Sequence, residues 1–528
     1  MNRFLAIFMC LTLLLTSFAF AEESTGPIIE TTHGDVQGAV VDGVEMFKGI
    51  PYGADTGGEN RFQAPQPIAD WEGVFDATQT APIAYQNSQS ISASWDFGVY
   101  FSGSNPEVFG FNGVEEEETE DCLVLSIVTP KADDQKRPVI VYLHGGGYST
   151  GSGALVLGGT TMVKDEDVVL VGVNHRLNVF GYLYLGAFDD KYADSGMAGI
   201  LDIVLALEWV RDNIASFGGD PNNVTIMGES GGGGKVCTLL AMPEANGLFH
   251  KAIVESGAST AGTYTKEAAT EVANKFLANL GITSDELDKL STFTTEEIFA
   301  ASQGIGSLRP VADEINLPVV TSDEFVVPEI SKDIPIIVGA SDDESGSGAT
   351  PEAMDAITWE NLPATLVERG RGVTEENVEA VIEAFRKYNG EDASAAQVYY
   401  NIISNSNAAG NSAHQMARAR AVQEGAANIY QYLVSFDSQL ALYPGDEYRL
   451  AWHTADLPLQ FRIVYYPEAE ELSKLMSGAI AAFARTGDPS TDELAWPAFT
   501  LEEQLVMVWD EESKVVSDPM AELRVPFQ

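Results

Sequence analysis

Short apolar segments that alternate with helical stretches constrain the fold of this 528-residue chain more than any other feature. Six such segments are predicted to be strands, at residues 138–143, 168–173, 224–227, 252–254, 334–338 and 429–434. They show little alternation of apolar and polar residues, which is typical of strands buried on both faces. Helical stretches such as residues 200–214 lie between them. The pattern predicts an α/β fold with a mostly parallel, doubly wound central sheet and helices on both faces.

Two longer stretches, residues 261–332 and 352–426, are predicted to be largely helical. We interpret them as a cap or flanking layer, so that residues 22–528 form a single domain. Active sites of doubly wound sheets lie at the carboxyl ends of the strands. The residues that follow the predicted strands are therefore the candidates for function.

Ser230 stands in such a position. The strand at 224–227 runs into Gly228-Glu229-Ser230-Gly231-Gly232 and then into a helical segment. Small residues around a serine permit the strained turn that lifts a nucleophilic hydroxyl above a sheet, at the positive end of a helix. The alternative is a phosphate loop, which requires Ser or Thr directly after its Gly-Lys pair. Val236 follows Lys235, so we predict that Ser230 is a nucleophile.

A second glycine-rich turn, His144-Gly145-Gly146-Gly147, follows the strand at 138–143. Acyl transfer builds negative charge on a carbonyl oxygen, and each backbone N–H aimed at that oxygen is worth on the order of 3 kcal/mol. Alone, the turn could be an ordinary connection. Together with the serine turn downstream, it predicts an oxyanion hole whose donors are the N–H groups of Gly146, Gly147 and Gly231.

Three of the six histidines follow Ser230, and in a fold of this kind the chain order is nucleophile, acid and then histidine. His250 precedes a buried strand and His414 lies in a polar helical stretch, so both are predicted to be structural or exposed. His453 lies in an irregular segment beyond the last strong strand, from which a side chain can reach over the edge of the sheet. We predict that His453 is the base.

The acid partner of the histidine remains open at this point. Asp342, Asp343 and Glu344 all follow the predicted strand at 334–338, which is a suitable place for the acid. With 78 acidic residues in the chain, a solvated surface loop is a strong alternative. Reasoning from the residues alone does not separate the three.

Further motifs are spread over nearly the whole chain. They are F-K-G-I-P-Y-G at 47–53, R-F-Q-A-P at 61–65, E-D-C-L at 120–123, N-H-R-L at 174–177, F-G-G-D-P at 217–221 and F-A-R-T-G-D-P at 483–489. Together with the two glycine-rich turns, they resemble the type B carboxylesterases, the cholinesterase-like branch of the α/β-hydrolases. The resemblance implies the α/β-hydrolase fold and a serine carboxylesterase with a Ser-Glu-His triad.

The same resemblance implies which residues act. The acid of the family lies in a segment that ends D-E-G, which points to Glu344. Its histidine lies in an H-x-x-D/E-L-P segment, which supports His453. Its oxyanion donors correspond to Gly146, Gly147 and Gly231.

Several positions depart from the family pattern. Gly231 stands where the family usually has alanine, although it still offers its N–H. Residues 22–121 contain no cysteine, so Cys122 lacks the upstream partner with which the family pairs it and we expect no disulfide there. Cys237 is expected to be a buried helix residue. Phe111 and Asn112 stand where a cholinesterase has its choline-binding tryptophan, which makes acetylcholine an unexpected substrate.

The N-terminus resembles a secretory signal peptide. Arg3 precedes an apolar run at 4–15, and Ala19-Phe20-Ala21 has the small residues that signal peptidase requires. We predict cleavage after Ala21 and a secreted or periplasmic enzyme. An uncleaved membrane anchor is the alternative, but the apolar run is shorter than the ~20 residues a span requires. After cleavage we expect no stable membrane insertion.

Charge is the most prominent feature of the composition. The chain has 29 Lys and Arg against 78 Asp and Glu, a net charge of −49. Such a surface repels nucleic acid and anionic lipid, so we expect neither as a partner. We hypothesise that it reflects a salt-rich habitat, and improved solubility of an exported protein is the competing explanation.

The expected activity is hydrolysis of small to medium carboxylic esters through an acyl-enzyme intermediate. This chemistry requires no metal or cofactor, and activity is expected to fall below about pH 6 to 7 as His453 is protonated. One alternative is a specialised esterase or lipase for a bulky natural ester. Another is a non-catalytic binding or adhesion protein on the same fold, which the presence of Ser230 disfavours. The sequence leaves the oligomeric state open.

Overall fold

A computed structural model describes residues 24–79, 81–86, 117–322, 324–344, 351–370, 372–390, 392–405, 409–437, 451–464 and 467–527. The predicted signal peptide (residues 1–21) and the positions Phe111 and Asn112 lie outside the described residues.

The described strands form a 13-stranded sheet and a separate two-stranded one. They are β1 (Ser24–Glu30), β2 (Asp35–Val41), β3 (Val44–Pro51), β4 (Val74–Asp76), β5 (Ile83–Ala84), β6 (Glu118–Thr119), β7 (Val124–Thr129), β8 (Arg137–Leu143), β9 (Val169–Val173), β10 (Gly219–Glu229), β11 (Lys251–Glu255), β12 (Ile336–Ser341), β13 (Ile429–Val434), β14 (Leu505–Trp509) and β15 (Lys514–Ser517). The large sheet has the order β1-β2-β3-β7-β9-β8-β10-β11-β12-β13-β14-β15, and β4 pairs with β2.

The middle of the large sheet is parallel, from β9 through β8 and β10–β13 to β14. Antiparallel strands flank it on both sides, namely β1–β3 and β7 at one edge and β15 at the other. Because the middle strands are parallel, their carboxyl ends meet at one edge of the sheet. The segments that follow β8, β10, β11 and β12 therefore come together.

The described α-helices are α1 (Thr160–Glu166), α2 (Asn178–Tyr182), α3 (Ala198–Asn213), α4 (Gly231–Ala241), α5 (Lys266–Leu280), α6 (Thr295–Ala301), α7 (Pro351–Asp355), α8 (Leu362–Arg369), α9 (Val378–Asn389), α10 (Ala395–Asn405), α11 (Ala409–Ala421), α12 (Leu457–Gln460), α13 (Glu470–Thr486) and α14 (Ala521–Arg524). Short 3-10 turns add Gly58–Asn60, Gly153–Gly158, Asp190–Tyr192, Ser195–Met197, Ile214–Phe217, Pro243–Ala245, Ser284–Thr292, Glu329–Ser331, Pro467–Ala469 and Val525–Phe527. Among the described residues, no helix is both long and apolar enough to cross a membrane.

Two apolar cores cover the two faces of the parallel strands. Along β8, Val139 and Val141 pack into a core shared with α3 and α4. Ile140 and Tyr142, which point the other way, pack into a core shared with α1 and α13. Both faces of each strand therefore need apolar residues, which explains the missing alternation. The predicted α/β architecture with helices on both faces is confirmed.

The third and fourth apolar clusters lie in the two flanking regions. Helices α8–α10 pack around Phe385 and Tyr400, and this cluster reaches the sheet at Leu433 and Val506. Helix α5 packs through Phe276 onto a cluster that includes Val179 and Leu183. The region 352–426 is thus joined to the sheet by its own cluster, whereas the region 261–332 reaches the sheet through Leu317 and Val327, which lie in the core shared with α3 and α4.

Three predicted boundaries were wrong. The strand predicted at 224–227 is part of the longer β10 (Gly219–Glu229). The strand predicted at 334–338 is β12 (Ile336–Ser341), because the N–H of Ile334 closes a turn onto the Ser331 carbonyl at 3.0 Å and Pro335 has no N–H. The region 261–332 is helical mainly in its first part. Asp313 there accepts the N–H groups of residues 315–317, an Asx-type turn that competes with a helix.

Candidate active site

Ser230 occupies a sharp turn between β10 and α4. Its backbone has φ 56° and ψ −119°, a conformation that costs a non-glycine residue of order 1–3 kcal/mol. Its N–H donates to the Glu255 carbonyl at 2.8 Å. A Cβ on Gly228 would lie 2.4 Å from the Gly232 carbonyl carbon, and one on Gly232 would lie 2.0 Å from the Leu143 oxygen. The turn therefore requires the glycines that the motif contains.

His453 approaches Ser230 from the segment between β13 and α12. Its Nε2 lies 2.9 Å from the Ser230 Oγ, within hydrogen-bond distance. Its Nδ1 contacts the Glu344 Oε2. Thr454, directly after the histidine, has φ 77°, which marks the tight turn that presents the ring. The three residues are thus arranged in series from hydroxyl to imidazole to carboxylate.

Glu344 is held by the carboxyl ends of two neighbouring strands. Its Oε1 accepts the N–H of Ser341 at 2.7 Å and the hydroxyl of Ser256, which follows β11. The carboxylates before it bind other groups. Asp342 accepts the Tyr388 hydroxyl at 2.8 Å, and Asp343 accepts the Asn401 amide at 2.6 Å. Of the three acids that the sequence left open, Glu344 is the one that contacts His453.

Asp343 links the segment of Glu344 to that of His453. Its N–H donates to the Ala451 carbonyl at 3.0 Å, and its carboxylate accepts the Ala451 N–H at 3.4 Å. An isolated bridge joins Asp343 to Trp452. Ala451, two residues before His453, is therefore hydrogen-bonded to Asp343, the residue before Glu344.

Residues 144–148, here called the glycine loop, follow β8 and lie beside Ser230. Gly146 and Gly147 both have positive φ, at 80° and 63°. Within the described residues, no backbone acceptor takes up their N–H groups. Gly231 is the first residue of helix α4, so its N–H has no hydrogen-bond acceptor within the helix. A Cβ on Gly231 would lie 2.1 Å from the Gly147 oxygen, so the loop and the helix start are in close contact.

Three further carboxyl groups are buried near the histidine. Glu229, Glu255 and Asp456 are at most 1% exposed. Burial raises the pKa of Glu229 and of Glu255, and it raises that of Asp456 to about 6. The Tyr432 hydroxyl lies 3.3 Å from Asp456, and the Gln460 amide donates to the same carboxylate at 2.9 Å. These acids form a buried layer at the level of Ser230 and His453.

Glu229 also acts on the titration of His453, whose Nε2 is 3.3 Å from the Glu229 Oε1. Burial alone would lower the pKa of His453, but the carboxylates of Glu229 and Glu344 outweigh burial and raise it. Glu229 and His453 together therefore hold a proton more tightly than an isolated histidine does.

Reasoning from the sequence missed Glu229, Ser256 and Asp456. Two signals were available, because Glu229 is the variable residue inside the serine motif and Ser256 lies two residues after the strand predicted at 252–254. Asp456 is the acidic position of the H-x-x-D-L-P segment. Their placement depends on the register of β10 and β11, where Glu229 pairs with Glu255, and the sequence alone does not give this register.

The other two histidines after Ser230 have structural contacts. His250 accepts the Val224 N–H at 3.1 Å, and burial lowers its pKa. His414 lies 3.2 Å from the Gln431 side chain, and burial lowers its pKa to about 4. Cys122 and Cys237 are both buried, and neither forms a disulfide within the described part of the chain.

Comparisons with known proteins agree with this geometry. The profile of the carboxylesterase family matches residues 25–528. The para-nitrobenzyl esterase of Bacillus subtilis is 33% identical, over 95% of this chain and 98% of the relative, and the phenmedipham hydrolase of Pseudarthrobacter oxydans is 30% identical, over 94% and 98%.

Solved structures give the same result. A carboxylesterase of Geobacillus stearothermophilus superposes with a TM-score of 0.77 at 32% identity, covering 95% of this chain and all of that one. An esterase of Clostridium hathewayi that hydrolyses aliphatic aromatic polyesters gives 0.75 at 28% identity, over 96% and 99%. The chain therefore belongs to the carboxylesterase family and is a carboxylic ester hydrolase of the α/β-hydrolase fold.

Proposed function

We propose that Ser230, His453 and Glu344 are the catalytic triad with which this enzyme hydrolyses esters. The observation that carries the proposal is the series of contacts in which the His453 imidazole bridges the Ser230 hydroxyl and the Glu344 carboxylate. A nucleophile, a base and an orienting acid in this arrangement are what acyl transfer requires.

In the first half-reaction, His453 takes the proton of Ser230 as Oγ attacks the ester carbonyl. Glu344 holds the imidazole with its proton on Nδ1 and stabilises the imidazolium that forms. The N–H groups of Gly146, Gly147 and Gly231 stabilise the oxyanion. His453 then gives its proton to the departing alcohol, which leaves the acyl-enzyme.

In the second half-reaction, water takes the place of the alcohol. His453 removes a proton from the water as it attacks the acyl carbonyl, and the acid leaves when Ser230 recovers its proton. The strained backbone of Ser230 supports this role, because strain of this kind persists where the surrounding structure fixes a residue for function.

We propose small to medium carboxylic esters as substrates. The name of one relative, the para-nitrobenzyl esterase, supports this. A series of p-nitrophenyl esters of increasing acyl length tests it. We expect kcat/KM to be highest for short and medium chains, and a steady rise toward long chains would favour a lipase instead.

Ser230→Ala tests the triad itself. We expect turnover of p-nitrophenyl butyrate to fall by about 10⁶-fold in kcat, toward the level that binding and the oxyanion hole alone support. The melting temperature should stay close to that of the wild type. Substantial remaining activity in a folded variant would reject Ser230 as the nucleophile.

We further propose that residues 1–21 are a cleaved signal peptide, which leaves residues 22–528 as a single secreted or periplasmic domain. The basic start, the apolar run and the small residues Ala19 and Ala21 support the proposal. N-terminal sequencing of the exported protein tests it. We expect the chain to begin at Glu22, and a retained Met1 would contradict cleavage.

A further inference from the structure

A lysine side chain is buried behind the glycine loop. Lys235 lies in the first turns of α4, five residues after Ser230, and its side chain is fully buried. Within the described chain it has no carboxylate partner, and burial lowers its pKa to about 7. Burying an ammonium group without a counter-charge is energetically costly. The mechanism proposed above gives this residue no part.

The polar head of Lys235 contacts both ends of the glycine loop. Its Nζ donates to the His144 carbonyl at 2.8 Å, where the loop begins. The same atom lies 5.8 Å from the centre of the Tyr148 ring, where the loop ends, a distance at which a cation is attracted to an aromatic face. One side chain therefore contacts the two residues that flank Gly145, Gly146 and Gly147.

The start of the loop is also held from its other side. The His144 ring stacks on His175, with ring centres 4.8 Å apart and planes 13° from parallel. The His144 Nδ1 lies 2.9 Å from the Gly145 carbonyl. Burial and the nearby Lys235 charge lower the pKa of His144 and of His175, so both rings are neutral.

The loop needs such support because its central glycines have no side chains to pack. Its internal hydrogen bonds end on the Gly146 carbonyl, which accepts the N–H groups of Ser149 and Thr150, each at 3.2 Å. Gly146 and Gly147 are exposed, have no side chains and adopt positive φ, so packing of their own cannot fix the direction of their N–H groups. A hydrogen-bond donor in an oxyanion hole contributes only when it is aimed at the developing charge beforehand.

We propose that Lys235 is a positioning residue, whose bond to the His144 carbonyl and contact with the Tyr148 ring hold the glycine loop so that the Gly146 and Gly147 N–H groups face the reacting carbonyl. The proposal rests on the proposed function, since it acts through that oxyanion hole. Lys235 itself touches no reacting atom.

Lys235→Met tests this, because methionine fills nearly the same volume without a charge or a donor. We expect kcat for p-nitrophenyl butyrate to fall about ten- to hundred-fold with KM unchanged, the loss that a misplacement of up to about 1 Å produces. An aryl trifluoromethyl ketone, which Ser230 converts to a bound oxyanion, should lose affinity by a similar factor. The melting temperature should hold or rise, because an unpaired buried charge has been removed.

Lys251→Met is the matched control. Lys251 is also buried, but it begins β11 at the opposite end of the sheet and donates to Asn223. We expect its kcat and its affinity for the ketone to remain at the wild-type level. If the Lys235→Met protein does not fold, Lys235→Gln replaces it with the same readouts, and several-fold losses are expected because its amide is one atom short of the ammonium position.

The outcomes separate the two proposals. If a fluorophosphonate labels the wild type at Ser230 while Lys235→Met keeps wild-type kcat and ketone affinity, the positioning role is wrong and the triad stands. Parallel decreases in kcat, ketone affinity and melting temperature would make Lys235 a residue of stability only. If the wild type is not labelled at Ser230, the proposed function itself fails.

Discussion

Gly231→Ala should impair this enzyme, although alanine is usual at this position in the type B carboxylesterases that the sequence resembles. The backbone of Gly231 is helical and has no positive φ, so alanine meets no conformational strain. The alanine side chain instead lacks space, because Gly147 lies too close. A Cβ at this position would lie 2.1 Å from the Gly147 oxygen and 2.5 Å from both the carbonyl carbon and the Cα of Gly147.

The size of the effect follows from these distances. The closest ordinary contact between a carbon and a carbonyl oxygen is about 3.3 Å. The glycine loop must therefore move away by roughly 3.3 − 2.1, or about 1.2 Å, from the start of α4. A displacement of about 1 Å at a reacting centre costs on the order of 10²-fold in rate. At 1.36 kcal/mol per factor of ten, this corresponds to about 2.7 kcal/mol in the activation free energy.

Steady-state kinetics with p-nitrophenyl butyrate measure this effect. We expect kcat to fall about 10²-fold and KM to change little, because the oxyanion-hole hydrogen bonds that the displacement weakens form mainly in the transition state. Gly478→Ala in α13 is the control, since its Cβ would meet its nearest atom at 3.8 Å, and its kcat should equal that of the wild type. A Gly231→Ala enzyme within two-fold of wild-type kcat would refute the close contact between the loop and the helix.

Three further predictions concern the acid, the pH profile and the surface. Glu344→Gln should lower kcat by about 10⁴-fold without unfolding, because an amide does not hold the imidazole in the required tautomer, and circular dichroism with ester kinetics will check this. The base must be neutral to act, and Glu229 and Glu344 raise the pKa of His453, so the acid limb of kcat/KM should lie above the pH 6 to 7 expected for an ordinary histidine. Glu229→Gln should move that limb to lower pH, and a limb that does not move would exclude an effect of Glu229. The melting temperature should rise between low and molar salt if the net charge of −49 reflects a saline habitat, whereas a constant value would end that hypothesis.

Much of the architecture could be predicted because the parallel strands are buried on both faces. Five of the strands appear in the sequence as apolar runs, namely β8, β9, β10, β11 and β13. Ser230 and the glycine loop were predicted because they follow the carboxyl ends of β10 and β8. The edge strands β1 and β2 were not predicted. Their side chains are partly exposed and mixed in polarity, so their pairing depends on neighbours that are distant in sequence.

The proposed acid, Glu344, could not be identified from single residues. Asp342, Asp343 and Glu344 are adjacent and chemically alike, and their directions depend on where β12 ends. The strand continues to Ser341 rather than ending at residue 338. The resemblance to a family selected Glu344, and the contact with His453 agrees with that choice.

The buried acids and Lys235 were beyond prediction for a related reason. A charged residue in a sequence is usually exposed, and only the packing of α4 against the glycine loop shows that Lys235 is fully buried. Likewise, Glu229 and Asp456 come from segments more than 200 residues apart. They meet because both segments lie at the same edge of the sheet.

The central claim is that Ser230 is a nucleophile activated by His453. Peptide mapping by mass spectrometry after treatment with a fluorophosphonate tests it most directly, because only an activated serine forms the adduct. We predict one adduct per chain, on the peptide that contains Ser230, and loss of labelling in a folded His453→Ala variant. An adduct on another residue, or undiminished labelling of Ser230 without His453, would contradict the account.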